Sequence, residues 1–263
     1  MEYEIIDFHT HPFEDREHNI CSHAAYCGMG IENTKEVFDG LGVSRICGSV
    51  IRWGKDSDAS VWDKVRENND SALRLRDLYG GFYIPGFHVH PAFVDESLRE
   101  IERMDREGVK LVGELVPYFD RWGDLKYDSE PFSVLLDEIG RRGMVVSFHS
   151  QDEDAMDRMV SAHPDVTFVA AHPGEYDLFM RHLARAKMSK NYYIDLSGYG
   201  VFRYGMLRRA IDEMGAERVL FGSDFPTCNP AMYLGAVTMD GLITEEEKRL
   251  ILSENAKRLL RWK

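Results

Sequence analysis

The chain has 263 residues, 44% apolar and 29% charged, an ordinary globular composition with enough length for a sizeable core. Its formal net charge of −13 argues against nucleic acid as a partner, because polyanions are bound through basic patches. No apolar run approaches the roughly 20 residues that span a membrane, the acidic start Met1-Glu2-Tyr3-Glu4 does not read as a signal peptide, and four cysteines are too few for a disulfide scaffold; a reduced, cytoplasmic protein is expected.

Strand-like and helix-like runs alternate eight times. The first strand, 3–9, leads into His9-Thr10-His11 and a long connection, 12–32, that contains Cys21, His23 and Cys27; it is expected to lie over the active-site mouth, with a lid role and with buried structural cysteines. Asn33 and Glu36 read as a capping box opening a short helix to Gly40. Strand 43–51 follows, then a helix over 60–79, strand 81–88, and a helix from Val94 to Glu107 with Val94, Leu98, Ile101 and Met104 on one face. Strand 109–116 precedes the helix marked by Phe132, Leu135, Leu136 and Ile139. Strands 143–149, 166–172, 191–197 and 218–223 alternate with helices over 154–162, 175–187, 202–214 and 244–262, the last opened by a Thr244/Glu247 capping box.

Near-continuous apolar strands alternating with helices predict a parallel sheet with right-handed crossovers, and eight units in this length predict one (β/α)8 TIM barrel spanning 1–263. A doubly wound open sheet is the alternative, but it calls for a Gly-rich loop after the first strand, where this chain has His-Thr-His-Pro.

Active sites of such barrels lie at the C-terminal ends of the strands. His9 and His11 end strand 1, His88 and His90 lie near the end of strand 3, Glu114 near the end of strand 4, His149 and His172 end strands 5 and 6, and Asp224 follows strand 8. Residues two apart on a strand share a face, so His9 and His11 can bind one metal ion. Singly, each of these residues has an ordinary structural explanation; six of ten histidines and two carboxylates at one end of one barrel point to a metal site. Imidazole and carboxylate donors suit zinc first, with manganese, iron or cobalt as alternatives, and a bound cation brings water toward hydroxide at neutral pH. Asp224 is placed to ligate the metal and to carry a proton as general base, then general acid.

The ordered motifs Asp7-Phe8-His9-Thr10-His11, Phe148-His149, Ala171-His172-Pro173-Gly174 and Leu220-Phe221-Gly222-Ser223-Asp224-Phe225-Pro226, with the tail Ser253-Glu254-Asn255-Ala256-Lys257-Arg258-Leu259-Leu260, resemble the amidohydrolase superfamily of metal-dependent barrel hydrolases, in its amidohydrolase-related (amidohydrolase 2) branch. The resemblance implies His9, His11, Asp224 and His149 as metal ligands, with His172 on a second metal or polarising the substrate. The strand 4 pair Gly113-Glu114 is similar to that of TatD-type hydrolases, in which the glutamate bridges two ions, so one or two ions are expected.

Substrate-binding candidates at the same mouth are Arg52 and Trp53, His90, Tyr118, Arg121 and Trp122, and Tyr199, Arg203 and Tyr204; the arginines suit an anionic small molecule. Pairing of these arginines with some of the 45 acidic residues, and a core histidine under Pro91, are the competing explanations. Hydrolysis of an amide, lactone or other ester by metal-activated water is the first expectation. Non-oxidative decarboxylation, as in other members of that branch, is the second, and a TatD-type phosphoesterase or nuclease the third. No membrane partner is expected, and homo-oligomer formation is left open.

Overall fold

The computed structural model describes residues 3–21, 33–52 and 60–261. Eight parallel strands follow one another in the order of the sequence: β1 (Ile6–Asp7), β2 (Arg45–Ser49), β3 (Tyr83–Phe87), β4 (Leu111–Leu115), β5 (Val145–His149), β6 (Thr167–Ala171), β7 (Tyr192–Asp195) and β8 (Val219–Leu220). The sheet curls shut where Phe8 N–H donates to Phe221 O at 2.9 Å and Thr10 bridges Phe225 in parallel. This is the expected (β/α)8 TIM barrel.

The crossovers are α1 (Thr34–Gly40), α2 (Val61–Tyr79), α3 (Val94–Arg106), α4 (Pro117–Asp120), α5 (Glu130–Arg141), α6 (Glu153–Ala162), α7 (Tyr176–Met188), α8 (Met206–Met214) and α9 (Pro230–Thr238), followed by α10 (Glu245–Arg249) and α11 (Asn255–Leu259). Cap chemistry sets several starts. Asn33 and Ser60 accept N–H bonds from Lys35 and Asp63, and Thr244 and Glu247 form the full reciprocal box. The expected final helix is not one α-helix: Leu250–Glu254 is a π turn, and the Ile251 carbonyl accepts Phe221 N–H at 2.9 Å, which ties the tail to the end of β8. The short helices α4 and α9 were not expected; each begins with proline at its first turn, where the missing N–H costs nothing.

Most of the core lies between strands and helices, where Phe132, Leu135, Leu136 and Ile139 of α5 are fully buried. A smaller cluster takes residues from around the barrel, among them Cys47, Leu111, Val145, Val169 and Leu220, together with Ala256 of α11, and Leu259 and Leu260 pack against it. Trp122, expected at the mouth, is instead 2% exposed, its ring 4.9 Å from Phe132: an indole this large is stabilised more by that burial than by standing in solvent. Trp53, His23 and Cys27 lie outside the described residues. No helix among the described residues is long and apolar enough to cross a membrane.

One buried chain of hydrogen bonds runs from helix to strand. Arg185 donates to Tyr192 Oη (3.3 Å), Tyr192 Oη donates to His182 Nδ1 (2.6 Å), His182 Nε2 donates to Ser150 Oγ (3.3 Å), and Ser150 donates to Ala171 O. Burial, then the Arg185 charge, pushes the His182 pKa down to about 3. An unfolded histidine titrates near 6.5, so below that pH the unfolded chain takes a proton that the folded one refuses. The stability this group supports is complete above about pH 6.5 and is lost, at about 1.4 kcal/mol per pH unit, as pH falls toward 3. Urea titrations at several pH values should give His182→Asn a shallower pH slope by one proton's worth; parallel slopes would refute this account.

Candidate metal centre

Period-two alternation carries the apolar interior into the site. Two residues beyond Val145 stands Ser147 and then His149; beyond Tyr193 come Asp195 and Ser197; beyond Leu220 come Gly222 and Asp224. On the first strand the clustered Ile6 and Phe8 alternate with His9 and His11, and on β4 and β6 the candidate is re-aimed by the backbone. Glu114 is out of phase with Leu111, and the β4–β5 register shifts between Val112 and Leu115. Gly113 permits this: its φ is +92°, and a Cβ there would lie 2.1 Å from Ser147 O. His172 is out of phase with Val169 and Ala171, and its own left-handed backbone, φ 68°, turns it. Asp224 shares that conformation at φ 61°; non-glycine residues held there mark sites where the fold sustains local strain.

The structure brings together all six residues expected to hold metal. His9 Nε2 and His11 Nε2 lie 3.2 Å apart, and each lies close to Glu114 Oε2, at 3.3 and 3.2 Å. Asp224 Oδ1 completes this side at 3.7 Å from His9 and 3.4 Å from His11. The other Glu114 oxygen, Oε1, faces His149 Nδ1 at 3.0 Å and His172 Nε2 at 3.4 Å. Two compact donor groups result, His9/His11/Asp224 and Glu114/His149/His172.

Proton accounting tests whether these residues fit a metal. Ser197 spends its single proton on Asp195 Oδ1, so its oxygen must accept from His172 Nδ1–H at 3.0 Å. His9 Nδ1–H donates to Asp195 Oδ2 at 2.8 Å, and His11 Nδ1–H to Ser49 O at 2.9 Å. In the neutral rings all three Nε2 atoms therefore carry lone pairs, and they face carboxylate oxygens that also carry only lone pairs. Such a set repels itself unless positive charge lies within it. The titration behaviour agrees. Burial opposes a charged His9, but Asp195 and Glu114 outweigh it and hold the pKa well above normal; burial likewise opposes His11, yet hydrogen bonds to Asp224 and Glu114 raise it to about 9. Burial would raise the Glu114 pKa, but the surrounding imidazoles, His9 first, hold it well below normal. The donors fit a divalent cation.

Asp195 and Ser197 were not singled out from the sequence; the signal available was their period-two spacing after an apolar strand, the same that marks His9 and His11. Partners that orient metal-ligating imidazoles typically contribute ten- to a hundredfold in metal affinity. Asp195→Asn is expected to weaken metal retention by that order in dialysis against a competing chelator; wild-type retention would count against the orienting role. Asp7 was also missed. Its Oδ1 accepts His9 N–H (3.2 Å) and Ser223 N–H (3.0 Å), bracing the two ligand-bearing segments against each other. Gly198 allows the His172 ring its position, since a Cβ there would lie 2.2 Å from Nδ1.

The substrate-binding candidates separate. Beside the centre, a cavity of about 660 Å³ is walled by Tyr118, Arg121, Lys126, Tyr127 and Gln151 among others. Tyr118 packs edge-on to His149 at 5.3 Å, and Arg121 makes no ion pair among the described residues. Arg52 pairs with Glu14 at 3.2 Å, and Arg203 pairs with Glu175. Tyr199 and Tyr204 are exposed. His90 is a correction: it is 1% exposed, Nε2 donates to Asp120 O (2.9 Å) and Nδ1 accepts Ala92 N–H (3.1 Å), which leaves no ring nitrogen for substrate.

A closed eight-stranded barrel with an imidazole–carboxylate cluster at the C-terminal ends of its strands defines a class of barrel enzymes. A family model described as amidohydrolase matches residues 6–262, and the chain belongs to that family. No curated protein sequence matches. Similar solved structures include an uncharacterised TIM-barrel protein from Bordetella bronchiseptica (18% identity, 98% of this chain and 99% of that one, TM-score 0.77). A 2,6-dihydroxybenzoate decarboxylase from Rhizobium is also similar (16%, 98% and 99%, TM-score 0.74). So is a dihydroxybenzoic acid decarboxylase from Polaromonas sp. with bound manganese and the inhibitor 2-nitroresorcinol (14%, 98% and 97%, TM-score 0.69). At these identities the likeness establishes the fold.

Proposed function

We propose that this chain is a metal-dependent, non-oxidative decarboxylase of a small carboxylic acid with an aromatic or similarly flat body. The observation that carries the reading is the division of labour within Asp224. Its Oδ1 lies among the donors, whereas the hydrogen-bond partner of Oδ2 among the described residues is the Cys228 thiol, at 3.9 Å. One carboxylate can thus stay at the centre and still hold a proton on its outer oxygen. The similar decarboxylase structures support the same choice over hydrolysis.

A divalent cation bound by these donors supplies a Lewis-acid contact for the substrate's oxygens. Manganese serves such nitrogen and oxygen donors as zinc does. Tyr118 offers an aromatic wall to the substrate body, and Arg121 a guanidinium to its negative charge. The reaction is R–COO⁻ + H⁺ → R–H + CO₂: the C–C bond breaks, its electron pair stays on the carbon, and Asp224 Oδ2 delivers the proton there before being reprotonated from water. His172, held by Ser197, would offer its Nε2 lone pair to that cation.

Hydrolysis remains a second reading, favoured by the two donor groups that the oxygens of Glu114 face, an arrangement suited to two cations. The two are separated by incubating the metal-loaded protein in D₂O with a panel of hydroxylated aromatic acids and, in parallel, aromatic amides and lactones. Decarboxylation releases CO₂ and places one deuterium on the vacated carbon. Cleavage of the amides or lactones without CO₂ release from any acid would overturn the proposal.

A further inference from the structure

Arg121 is a wall between two cavities. Beyond it from the larger one lies a pocket of about 40 Å³ lined by Arg52, Lys64, Asn68, Asp120 and Arg121 among apolar neighbours. That is room for a carboxylate head or a water or two. Its polar lining is richer in donors than in acceptors. Asn68 is only 8% exposed, and its amide oxygen accepts Arg52 N–H at 3.1 Å, so the amide nitrogen is the end left over, with no acceptor among the described residues. Arg52 uses Nη1 on Glu14, while its Nε is buried without a partner. Lys64, four residues before Asn68 on the same face of α2, and Arg121 form no ion pair among the described residues. Asp120, whose Oδ2 accepts Val116 N–H at 3.2 Å and whose Oδ1 lies 3.4 Å from His88 Nδ1, offsets one of the three cations and leaves the lining with an excess of positive charge. In a chain with 45 acidic and 32 basic residues, three cationic side chains and a buried amide converging with unspent donors run against the overall balance of charge.

We infer that this pocket is an anion-binding subsite for a carboxylate or phosphate group, and that it holds a second anionic group of the substrate, remote from the one that reacts. The second half rests on the decarboxylase reading; the first half stands without it. Bidentate or forked recognition of such groups is what arginine and amide donors provide.

The test uses the full chain loaded with manganese and titrates inorganic phosphate by calorimetry. Lys64→Gln removes one cation, and Asn68→Asp keeps the oxygen that Arg52 needs while replacing the free donor by a charge of the wrong sign. The subsite predicts one phosphate per chain, with affinity weakened about tenfold or more in each variant and metal content unchanged. Absence of binding up to about 10 mM, or equal affinity in all three proteins, would overturn it. An acid that the enzyme decarboxylates should displace the phosphate when saturating; phosphate retained at full affinity would overturn the substrate half and leave a free-anion site. Phosphate titration needs no turnover, so the subsite and the decarboxylase reading can fail separately.

Discussion

Glu114→Ala should lose metal and activity together, with kcat/KM falling on the order of 10³-fold or more, since the side chain is first-hand to every imidazole of the centre. One oxygen lies 3.2–3.3 Å from His9 and His11, the other 3.0–3.4 Å from His149 and His172. Truncation leaves four imidazoles without their shared negative charge at a site where Glu114 is 4% exposed. Removing one member of such a buried cluster typically costs about 3–5 kcal/mol of stability as well. Elemental analysis and a thermal melt on the same preparation would check both effects. A variant that keeps wild-type metal content and activity would show that the carboxylate is not part of the centre.

Asp224→Asn is expected to act differently. The amide is nearly isosteric and still offers an oxygen to the donors, so substrate binding should change by no more than a few-fold. The proton on the outer oxygen is lost, and kcat should fall by about 10²–10⁴, the range that positioned proton transfer contributes. Steady-state kinetics with separate kcat and KM, together with metal content, distinguish the outcomes. A rise in KM with unchanged kcat would make Asp224 a binding residue and remove it from the proton path.

The barrel was legible because its strands are apolar runs that a buried parallel sheet requires, and all eight fall within the expected spans. Spacing also revealed His9 and His11, because a two-residue step on extended chain returns to the same face. Glu114 and His172 were placed at the correct end of the barrel, but the alternation of their own strands points both away from it. Only the register shift at Gly113 and the left-handed backbone at His172 bring them in, and neither is visible in side-chain pattern. His90 misled for the converse reason: its position at a strand end matches that of a ligand, but the neighbouring Asp120 carbonyl and Ala92 N–H satisfy both ring nitrogens. The expected pairing of arginines with acids holds for Arg52 and Arg203 and leaves Arg121 free among the described residues, a distinction that depends on which loops approach each other. Asp195 and Ser197 sit in an unremarkable Asp-Leu-Ser sequence, and their importance follows only from the two histidines they touch.

Three Nε2 lone pairs and the carboxylates they face form a donor set that fits a divalent cation. The most direct measurement is elemental analysis of wild-type protein purified without chelator, followed by equilibrium uptake of manganese and of zinc by the chelator-stripped chain. At least one tightly held divalent ion per chain is expected, restored on adding back either metal. A chain that carries no divalent ion and takes up neither would contradict it.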